Sequence, residues 1–328
     1  MKGFQKKVSN IDVSVVVATY KQEKYIAMTL NSILAQKFSG TIEVLVGDDC
    51  SPDNTGAIVK EYGEKYPDVI KPIVRPKNLG AFKNFKDLMS KAQGKYIAMI
   101  EGDDYWINEN KLQEQFEFME SHPDYVATFG QSIIVNENNE RQEGWEQYIT
   151  FAGEGEYTVE DYQNYLLPGQ TASSFYRREA FLKVYDVVTA IKKGKLRVFF
   201  ALTDRMLVLS ILGAGRVNKS NEYYSAYRYI LDPNSNSWSS QNDFFSFRNE
   251  SIFLLTIYEL EKIAKYVGLS LNFDERRKYE FAVIADKKGE LNFFQVMALR
   301  FIDFVTCKSK KDFINFVVER KRKYRNNK

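Results

Sequence analysis

Short apolar runs alternate with amphipathic stretches over about the first hundred residues. The apolar runs are Val13–Ala18, Ile42–Val46, Ile70–Val74 and Tyr96–Ile100. Each is brief and largely apolar, which is typical of a strand that is buried on both faces. Residues 23–36, 55–66 and 81–92 separate these runs and are predicted helices; in the first of them, Ile26 and Leu30 share one face. The alternation predicts an α/β fold, with a mainly parallel sheet sandwiched by helices and the carboxyl ends of its strands at one edge.

Composition excludes several classes of protein. The 328 residues carry a net charge of +3, which is too small to favour a nucleic-acid partner. Cys50 and Cys307 are far apart in the chain and fit free thiols in the reducing cytoplasm. No apolar run approaches the ~20 residues that a membrane-spanning helix needs. The sequence therefore predicts a cytoplasmic protein that binds no nucleic acid and whose only membrane contact is peripheral, at the inner face.

Acidic residues follow two of the predicted strands. Asp49 follows the second strand, and Glu101, Asp103 and Asp104 follow the fourth, in the sequence EGDD. Because ligands of α/β sheets bind at the carboxyl ends of the strands, these carboxylates predict a site for a hard cation and a phosphate-bearing ligand. An acidic turn that only caps a strand is the alternative. The sequence lacks the glycine-rich fingerprints of dinucleotide-binding and P-loop proteins, which argues against both classes.

Several motifs in a consistent order resemble the family 2 glycosyltransferases. They are VSVVVATYKQEKYIAMTLNSILAQ, IEVLVGDDCSPDNT, NLG, GKYIAMIEGDDYW and KLQEQFEFMESHPD. The resemblance is strong from residue 13 to about 129 and looser from 169 to about 239. It implies a GT-A fold and an inverting transferase of the hexosyltransferase type, acting in polysaccharide biosynthesis at the cell envelope. The donor would be a nucleotide sugar, with a UDP-sugar favoured, and the acceptor a glycan or a lipid-linked molecule.

The resemblance assigns the nucleotide to the ends of the first strands. It implies base and ribose contacts at Thr19, Tyr20, Glu23 and Asp49, with Glu101 beside the ribose. A carboxylate accepts the ring N–H of a pyrimidine and a tyrosine stacks on a base, so the chemistry of these side chains agrees with the assignment. For Asp49, the capping of a turn is the alternative.

The family's acidic motif binds a metal, and here it spans Glu101 to Asp104. The resemblance implies that Asp103 and Asp104 hold Mn²⁺ or Mg²⁺, without deciding which is the direct ligand, and Asp103 is also expected to contact the nucleotide. A divalent cation neutralises the charge that grows on the leaving nucleoside diphosphate, and oxygen ligands suit both ions. Trp106, two residues further on, is a candidate wall of the sugar pocket; burial in the core is the alternative.

The second half of the chain is expected to bind the acceptor. The sequence PGQTASSFYRR at Pro168–Arg178 resembles the family's small-residue strand beside the donor site, and Ser173 is a candidate contact there. An ordinary polar strand is the alternative. Asp204 lies in LTDR, which resembles the family's acidic motif at the start of a helix. An inverting transfer needs a base opposite the leaving group, and the positive end of a helix suits an aspartate. We therefore predict that Asp204 is the general base, with a helix N-cap or a partner for Arg205 as the alternative.

One position departs from the family pattern. Many relatives have tyrosine, arginine, any residue and histidine in a segment that here reads YRYI, with Ile230 in place of the histidine. Arg228 is then a candidate to hold the charge of the diphosphate. The departure favours an alternative function, a non-catalytic protein that binds a nucleotide sugar or a glycan. A nucleotidyltransferase is less favoured, because residues 18–23 do not form a basic phosphate-binding loop.

The chain is expected to divide near residue 240. Residues 1–240 are predicted to form the catalytic domain, with nucleotide binding in 10–130 and the acceptor side in 131–240. Residues 241–328 show apolar residues at helical spacing and end in a basic amphipathic tail. Such a tail suits an anionic membrane surface; a solvated tail is the alternative.

Overall fold

The computed structural model describes residues 10–144, 151–199, 204–230, 247–277 and 293–306. Its strands are β1 Val13–Thr19, β2 Ile42–Asp48, β3 Ile70–Val74, β4 Tyr96–Glu101, β5 Tyr105–Trp106, β6 Tyr125–Val135, β7 Gly155–Tyr157, β8 Ser174–Arg177 and β9 Arg216–Arg228. Its helices are α1 Ile26–Leu34, α2 Thr55–Lys65, α3 Ala81–Lys91, α4 Lys111–Ser121, α5 Val159–Gln163, α6 Phe181–Lys192, α7 Asp204–Leu212, α8 Phe247–Val267 and α9 Phe293–Thr306.

Within these ranges the strands form one nine-stranded sheet in the order β3-β2-β1-β4-β8-β6-β9-β5, and β7 pairs with β9. The first four strands run parallel, β8 lies antiparallel between β4 and β6, and β9 runs parallel to β6. Thr19 is level with Asp48, and Ala18 is level with Glu101. The predicted mainly parallel sheet is confirmed, and the ends of β1, β2 and β4 meet at one edge.

The sheet separates two layers of apolar packing. Side chains alternate between the faces of a strand, so Val15 and Val17 belong to the layer with Ile26 of α1, whereas Val16 belongs to the opposite layer with Leu88 of α3. Both layers exclude solvent from these valines. Burial on both faces explains why β1 is almost uniformly apolar in sequence.

The C-terminal helical region packs against the layer that contains α3. Ile257, Leu260 and Ile263 of α8 are fully buried in the same core as α6 and α7. The helical nature of this region is therefore confirmed. The predicted boundary at residue 240 lies outside the described residues and stays a prediction. Among the described helices, none combines the length and the apolarity needed to cross a membrane.

The segment Pro168–Arg178 is only partly the strand that the sequence predicts. Thr171–Ser173 forms a 3₁₀ turn and the strand β8 begins at Ser174. The hydroxyls of Ser173 and Ser174 donate to backbone carbonyls three residues earlier. Such local bonds compete with the bonds of a strand and stabilise a tight turn, which is why the strand prediction was wrong for the first half of the segment.

Candidate active site

The acidic turn after β4 is fastened to the end of β1. The N–H of Gly102 donates to the carbonyl of Ala18 at 3.0 Å. A Cβ at Gly102 would lie 2.6 Å from Oγ1 of Thr19 and 2.4 Å from Oε1 of Gln22. Only glycine fits this approach, so the sequence EGDD needs its glycine to hold the acids against β1.

The two aspartates of the turn have different surroundings. Asp104 is buried, and its Oδ1 accepts the backbone N–H of Arg228 at 2.8 Å. Asp103 is less buried; its carboxylate accepts a hydrogen bond from the side chain of Gln22. Desolvation raises the pKa of both carboxyls, and the charge of Arg228 partly offsets the rise. Asp104 thus stabilises the fold through its hydrogen bond to Arg228, whereas the carboxylate of Asp103 is more accessible to a ligand.

Arg228 connects the acidic turn to the residues that follow β6. Its Nε donates to the carbonyl of Asp103 at 2.9 Å, and its Nη1 to that of Asn136 at 2.7 Å. Nη2 donates to Oδ1 of Asn139 at 2.6 Å, and the guanidinium lies 4.0 Å from the ring centre of Tyr25. Each guanidinium nitrogen therefore has an acceptor within the protein. This geometry suits a positioning residue, and a contact between Arg228 and a diphosphate stays a prediction.

The loop after β1 is tied to the loop before α2. Oγ1 of Thr19 donates to Oε1 of Gln22 at 2.6 Å, and Oε2 of Glu23 accepts the N–H of Asn54 at 2.9 Å. Tyr20, between them, is 42% exposed. Thr19 and Glu23 thus shape the loop, while the ring of Tyr20 is open for stacking. Their predicted contacts with a base and a ribose stay predictions.

Asp49 holds the NLG loop. Its Oδ1 and Oδ2 accept the N–H groups of Leu79 and Gly80, both at 2.8 Å, and its carbonyl accepts Nδ2 of Asn78 at 3.0 Å. Gly80 has a φ of 83°, which favours glycine. The sequence analysis named Asp49 and the NLG motif but missed this connection between them, which spans about 30 residues. A base contact by Asp49 stays a prediction.

Glu101 and Asp204 line one cavity of about 240 Å³, together with Thr171. Glu101 ends β4, and Asp204 begins α7 at the solvent-exposed side of the cavity. Desolvation, and then the charges of Asp204 and Asp103, raise the pKa of Glu101 to about 8. Desolvation also raises the pKa of Asp204. Two carboxyls from separate halves of the chain therefore meet at the carboxyl edge of the sheet, and the pKa of each is raised.

Trp106 and Ser173 are buried beneath the site. Nε1 of Trp106 donates to the carbonyl of Ala172 at 2.8 Å, and Oγ of Ser173 donates to that of Gln170 at 2.8 Å. Nζ of Lys111, a residue that the sequence analysis missed, lies 4.5 Å from the ring centre of Trp106. Burial lowers the pKa of Lys111. These contacts support the turn that carries Thr171; roles of Trp106 and Ser173 in binding a sugar or an acceptor stay predictions.

The carboxylate oxygens of the acidic turn suit a metal ion that binds together with a diphosphate. Within the described ranges, no three His, Cys, Asp or Glu side chains converge on one point. Mg²⁺ is commonly held by one or two carboxylates together with substrate phosphates. Asp103 can supply such a carboxylate, whereas Oδ1 of Asp104 is occupied by Arg228. The residues therefore fit the ion, with Asp103 as the better placed of the two predicted ligands.

The parallel strands with an acidic turn at their carboxyl edge are the arrangement that the resemblance to the GT-A fold predicted. The sequence matches the model of Glycosyl transferase family 2 over residues 14–185, more than half of the chain. The chain therefore belongs to glycosyl transferase family 2, and the resemblance drawn from its motifs is confirmed.

Curated relatives match part of this chain. An uncharacterized glycosyltransferase of Nostoc sp., alr2836, is 28% identical over 223 residues, which are 66% of this chain and 64% of the relative. The putative teichuronic acid biosynthesis glycosyltransferase TuaG of Bacillus subtilis is 33% identical over 125 residues, 38% of this chain and 48% of the relative. An uncharacterized protein of Mycobacterium tuberculosis is 39% identical over 126 residues, 38% of this chain and 36% of that protein. The chain thus matches less than two thirds of the length of these relatives.

Solved structures share the fold. TarS 1–349 of S. aureus in complex with UDP-GlcNAc superposes with a TM-score of 0.60 and 19% identity, over 90% of this chain and 82% of that one. The mannosyltransferase PcManGT of Pyrobaculum calidifontis, in complex with GDP-Man and Mn²⁺, gives 0.51 and 13%, over 95% and 80%. At these identities the likeness establishes the architecture alone.

Proposed function

We propose that the protein is an inverting glycosyltransferase that moves a sugar from a UDP-sugar to a hydroxyl of a glycan or lipid-linked acceptor. The observation that carries the proposal is the meeting of Asp204 and Glu101 in one cavity beside the acidic turn. The cavity lies at the carboxyl edge of the sheet, where α/β proteins bind their ligands. It brings a candidate base from the acceptor half next to the donor half.

Asp204 is the proposed general base. As the acceptor oxygen attacks the anomeric carbon, a carbon–oxygen bond forms and the bond from that carbon to the diphosphate oxygen breaks. The hydroxyl proton passes to the Asp204 carboxylate, and the electron pair of the broken bond leaves with the diphosphate. Because desolvation raises the pKa of Asp204, this carboxylate is a stronger base than an aspartate with an ordinary pKa.

The donor is proposed to lie across the ends of β1, β2 and β4. Tyr20 would stack on the uracil, with Thr19, Glu23, Asp49 and Glu101 around the base and ribose. A UDP-sugar is supported by the same fold in the TarS complex with UDP-GlcNAc. Mn²⁺ or Mg²⁺ beside Asp103 would neutralise the charge of the leaving diphosphate, and Mn²⁺ accompanies the donor in the PcManGT complex.

Peripheral membrane contact is proposed through α9 and the residues after it. Phe294, Met297, Phe301 and Val305 recur at helical spacing on α9 and are 81%, 46%, 67% and 53% exposed. The following residues, 307–328, contain nine Lys or Arg and two acids. An exposed apolar stripe joined to a basic segment suits an anionic membrane surface, at which a cytoplasmic enzyme would meet a lipid-linked acceptor.

The donor proposal is tested with UDP- and GDP-sugars in the presence of Mn²⁺. We expect slow release of nucleoside diphosphate from one UDP-sugar without acceptor, because water can replace the acceptor hydroxyl. The matched measurement omits Mn²⁺ and adds a chelator, which should abolish the release. Binding of a nucleotide sugar with no release across the panel, with or without a glycan acceptor, would instead favour the non-catalytic binder.

A further inference from the structure

The cavity beside Asp204 is mostly apolar. Its walls come from α3, α6 and α7 and include Phe82, Phe85, Met89, Val184, Val188 and Leu207. Its acids and Thr171 lie where it meets the strand ends. A sugar placed deep between these walls would leave hydroxyls without hydrogen-bond partners, at a cost of about 1–3 kcal/mol for each buried group. The deep part of the cavity therefore suits an apolar group.

Two lysines face each other between α3 and α6. Lys86 of α3 lines the cavity, and its side chain is within hydrogen-bond reach of Lys192, the last residue of α6. Lys192 is exposed and Lys86 is half-buried, so the pair marks a place where the cavity meets solvent. Two ammonium groups at this separation repel each other. An anion between them would turn the repulsion into two attractive contacts.

We propose that this cavity binds the acceptor through an alkyl or prenyl chain that carries a phosphate. The chain lies between α3 and α6, and the phosphate lies at Lys86 and Lys192. A hydroxyl on a sugar attached to that phosphate can then reach Asp204, which lines the same cavity. The inference rests on the proposed function and narrows its acceptor from a glycan or any lipid-linked molecule to one that is linked through a lipid phosphate.

The proximity of the lysines has a second consequence for Lys86. The hydrogen bond and charge of Lys192, together with desolvation, lower the pKa of Lys86. A phosphate between the two lysines would raise the pKa of Lys86 again, because an opposite charge stabilises the ammonium form.

The test is direct binding of geranyl phosphate, measured by calorimetry in the absence of donor. Val184→Trp fills the cavity from α6, and the double variant Lys86→Gln with Lys192→Gln removes the anion site. Their controls are Leu182→Trp, on the same helix but 45% exposed and outside the cavity, and Lys193→Gln beside the pair. Thermal melting establishes that each variant is folded, and the lysine variants relieve repulsion rather than remove packing.

We expect geranyl phosphate to bind the unaltered protein, Leu182→Trp and Lys193→Gln alike, and at least 10-fold more weakly to the two test variants. Geraniol and inorganic phosphate should each bind more weakly than the joined molecule. Equal binding by Val184→Trp, or no binding to the unaltered protein, would overturn the inference. Release of diphosphate from a UDP-sugar, measured separately, distinguishes this inference from the proposed function. Release without binding of geranyl phosphate would contradict only the inference. Binding of geranyl phosphate without release would contradict only the proposed reaction.

Discussion

The backbone N–H of Arg228 donates to Oδ1 of Asp104 at 2.8 Å, across a separation of 124 residues in the chain. The side chain of Arg228 meanwhile binds the carbonyl of Asp103. One residue at the end of β9 thus fixes both aspartates of the acidic turn. Arg228 places the second half of the chain in direct contact with the proposed metal site.

Replacement of Arg228 by Met is expected to loosen the acidic turn. The variant loses three side-chain hydrogen bonds and a cation close to two desolvated acids, Asp103 and Asp104, and we expect the free energy of unfolding to fall by about 3 kcal/mol. We also expect a higher Mn²⁺ concentration for half-maximal diphosphate release, because Asp103 is no longer held in place. Denaturant unfolding and metal titration measure the two effects.

The exposed Arg197→Met is the matched control and should change neither quantity. Arg228→Lys keeps the charge but lacks the planar fork that reaches three acceptors. It should recover only part of the stability. Full metal activation in Arg228→Met would contradict the positioning role.

Replacement of Asp204 by Asn is expected to separate binding from chemistry. The amide has nearly the same shape but cannot take the acceptor proton, so we expect transfer to fall by about 10²–10⁴-fold, with donor affinity changed less than about 3-fold. Turnover with acceptor and titration of UDP by calorimetry measure the two quantities. Asp186→Asn, exposed on α6, is the control and should retain the turnover of the unaltered protein. Near-normal turnover of Asp204→Asn would assign the base elsewhere.

Lys219 is expected to make the stability of the protein depend on pH. Its side chain is fully buried in β9, and within the described parts of the chain Nζ has no hydrogen-bond partner. Desolvation lowers its pKa to about 8, against about 10.4 in an unfolded chain. Between these values the unfolded state binds the proton and the folded state does not, so the free energy of unfolding rises with pH across this window. Below pH 8 the buried charge costs about 3 kcal/mol.

Lys219→Met should therefore be more stable than the unaltered protein at pH 7, and the gain should shrink as the pH approaches 10. Urea unfolding at a series of pH values measures the difference. Lys60→Met, an exposed position on α2, is the control and should show no such trend. A pH-independent difference would show that packing, rather than the charge of Lys219, sets the stability of this site.

The sequence predicted the features that are local in the chain. β1 and β4 are buried on both faces and are therefore almost uniformly apolar. A short run of apolar residues in the sequence was enough to predict each of them. The acidic turn follows such a strand directly, and its position was therefore readable as well. β9 is polar along its first half, where several side chains are exposed, and no periodic pattern predicted it.

The site's internal bonds could not be predicted in the same way. The bonds from Leu79 and Gly80 to Asp49 cross about 30 residues, and those from Arg228 to the acidic turn cross more than 120. Neither pair has a local signal, because what joins them is the order of strands in the sheet. The same holds for the cavity, whose walls come from three helices that are far apart in sequence.

The apolar stripe on α9 gives a prediction for membrane binding. Phe294 and Phe301 are 81% and 67% exposed on one face of the helix, and burial of two such rings in a lipid interface contributes about 2–4 kcal/mol at most. We expect Phe294→Ser with Phe301→Ser to bind vesicles that contain anionic lipid at least 10-fold more weakly. Co-sedimentation with vesicles of phosphatidylglycerol and phosphatidylcholine measures this.

Phe199→Ser, which removes a phenylalanine that is 73% exposed elsewhere, is the control. Vesicles of phosphatidylcholine alone should bind the unaltered protein weakly, because the basic residues of 307–328 then have no anionic partner. Equal sedimentation of the double variant and the unaltered protein would show that the stripe does not contact the membrane.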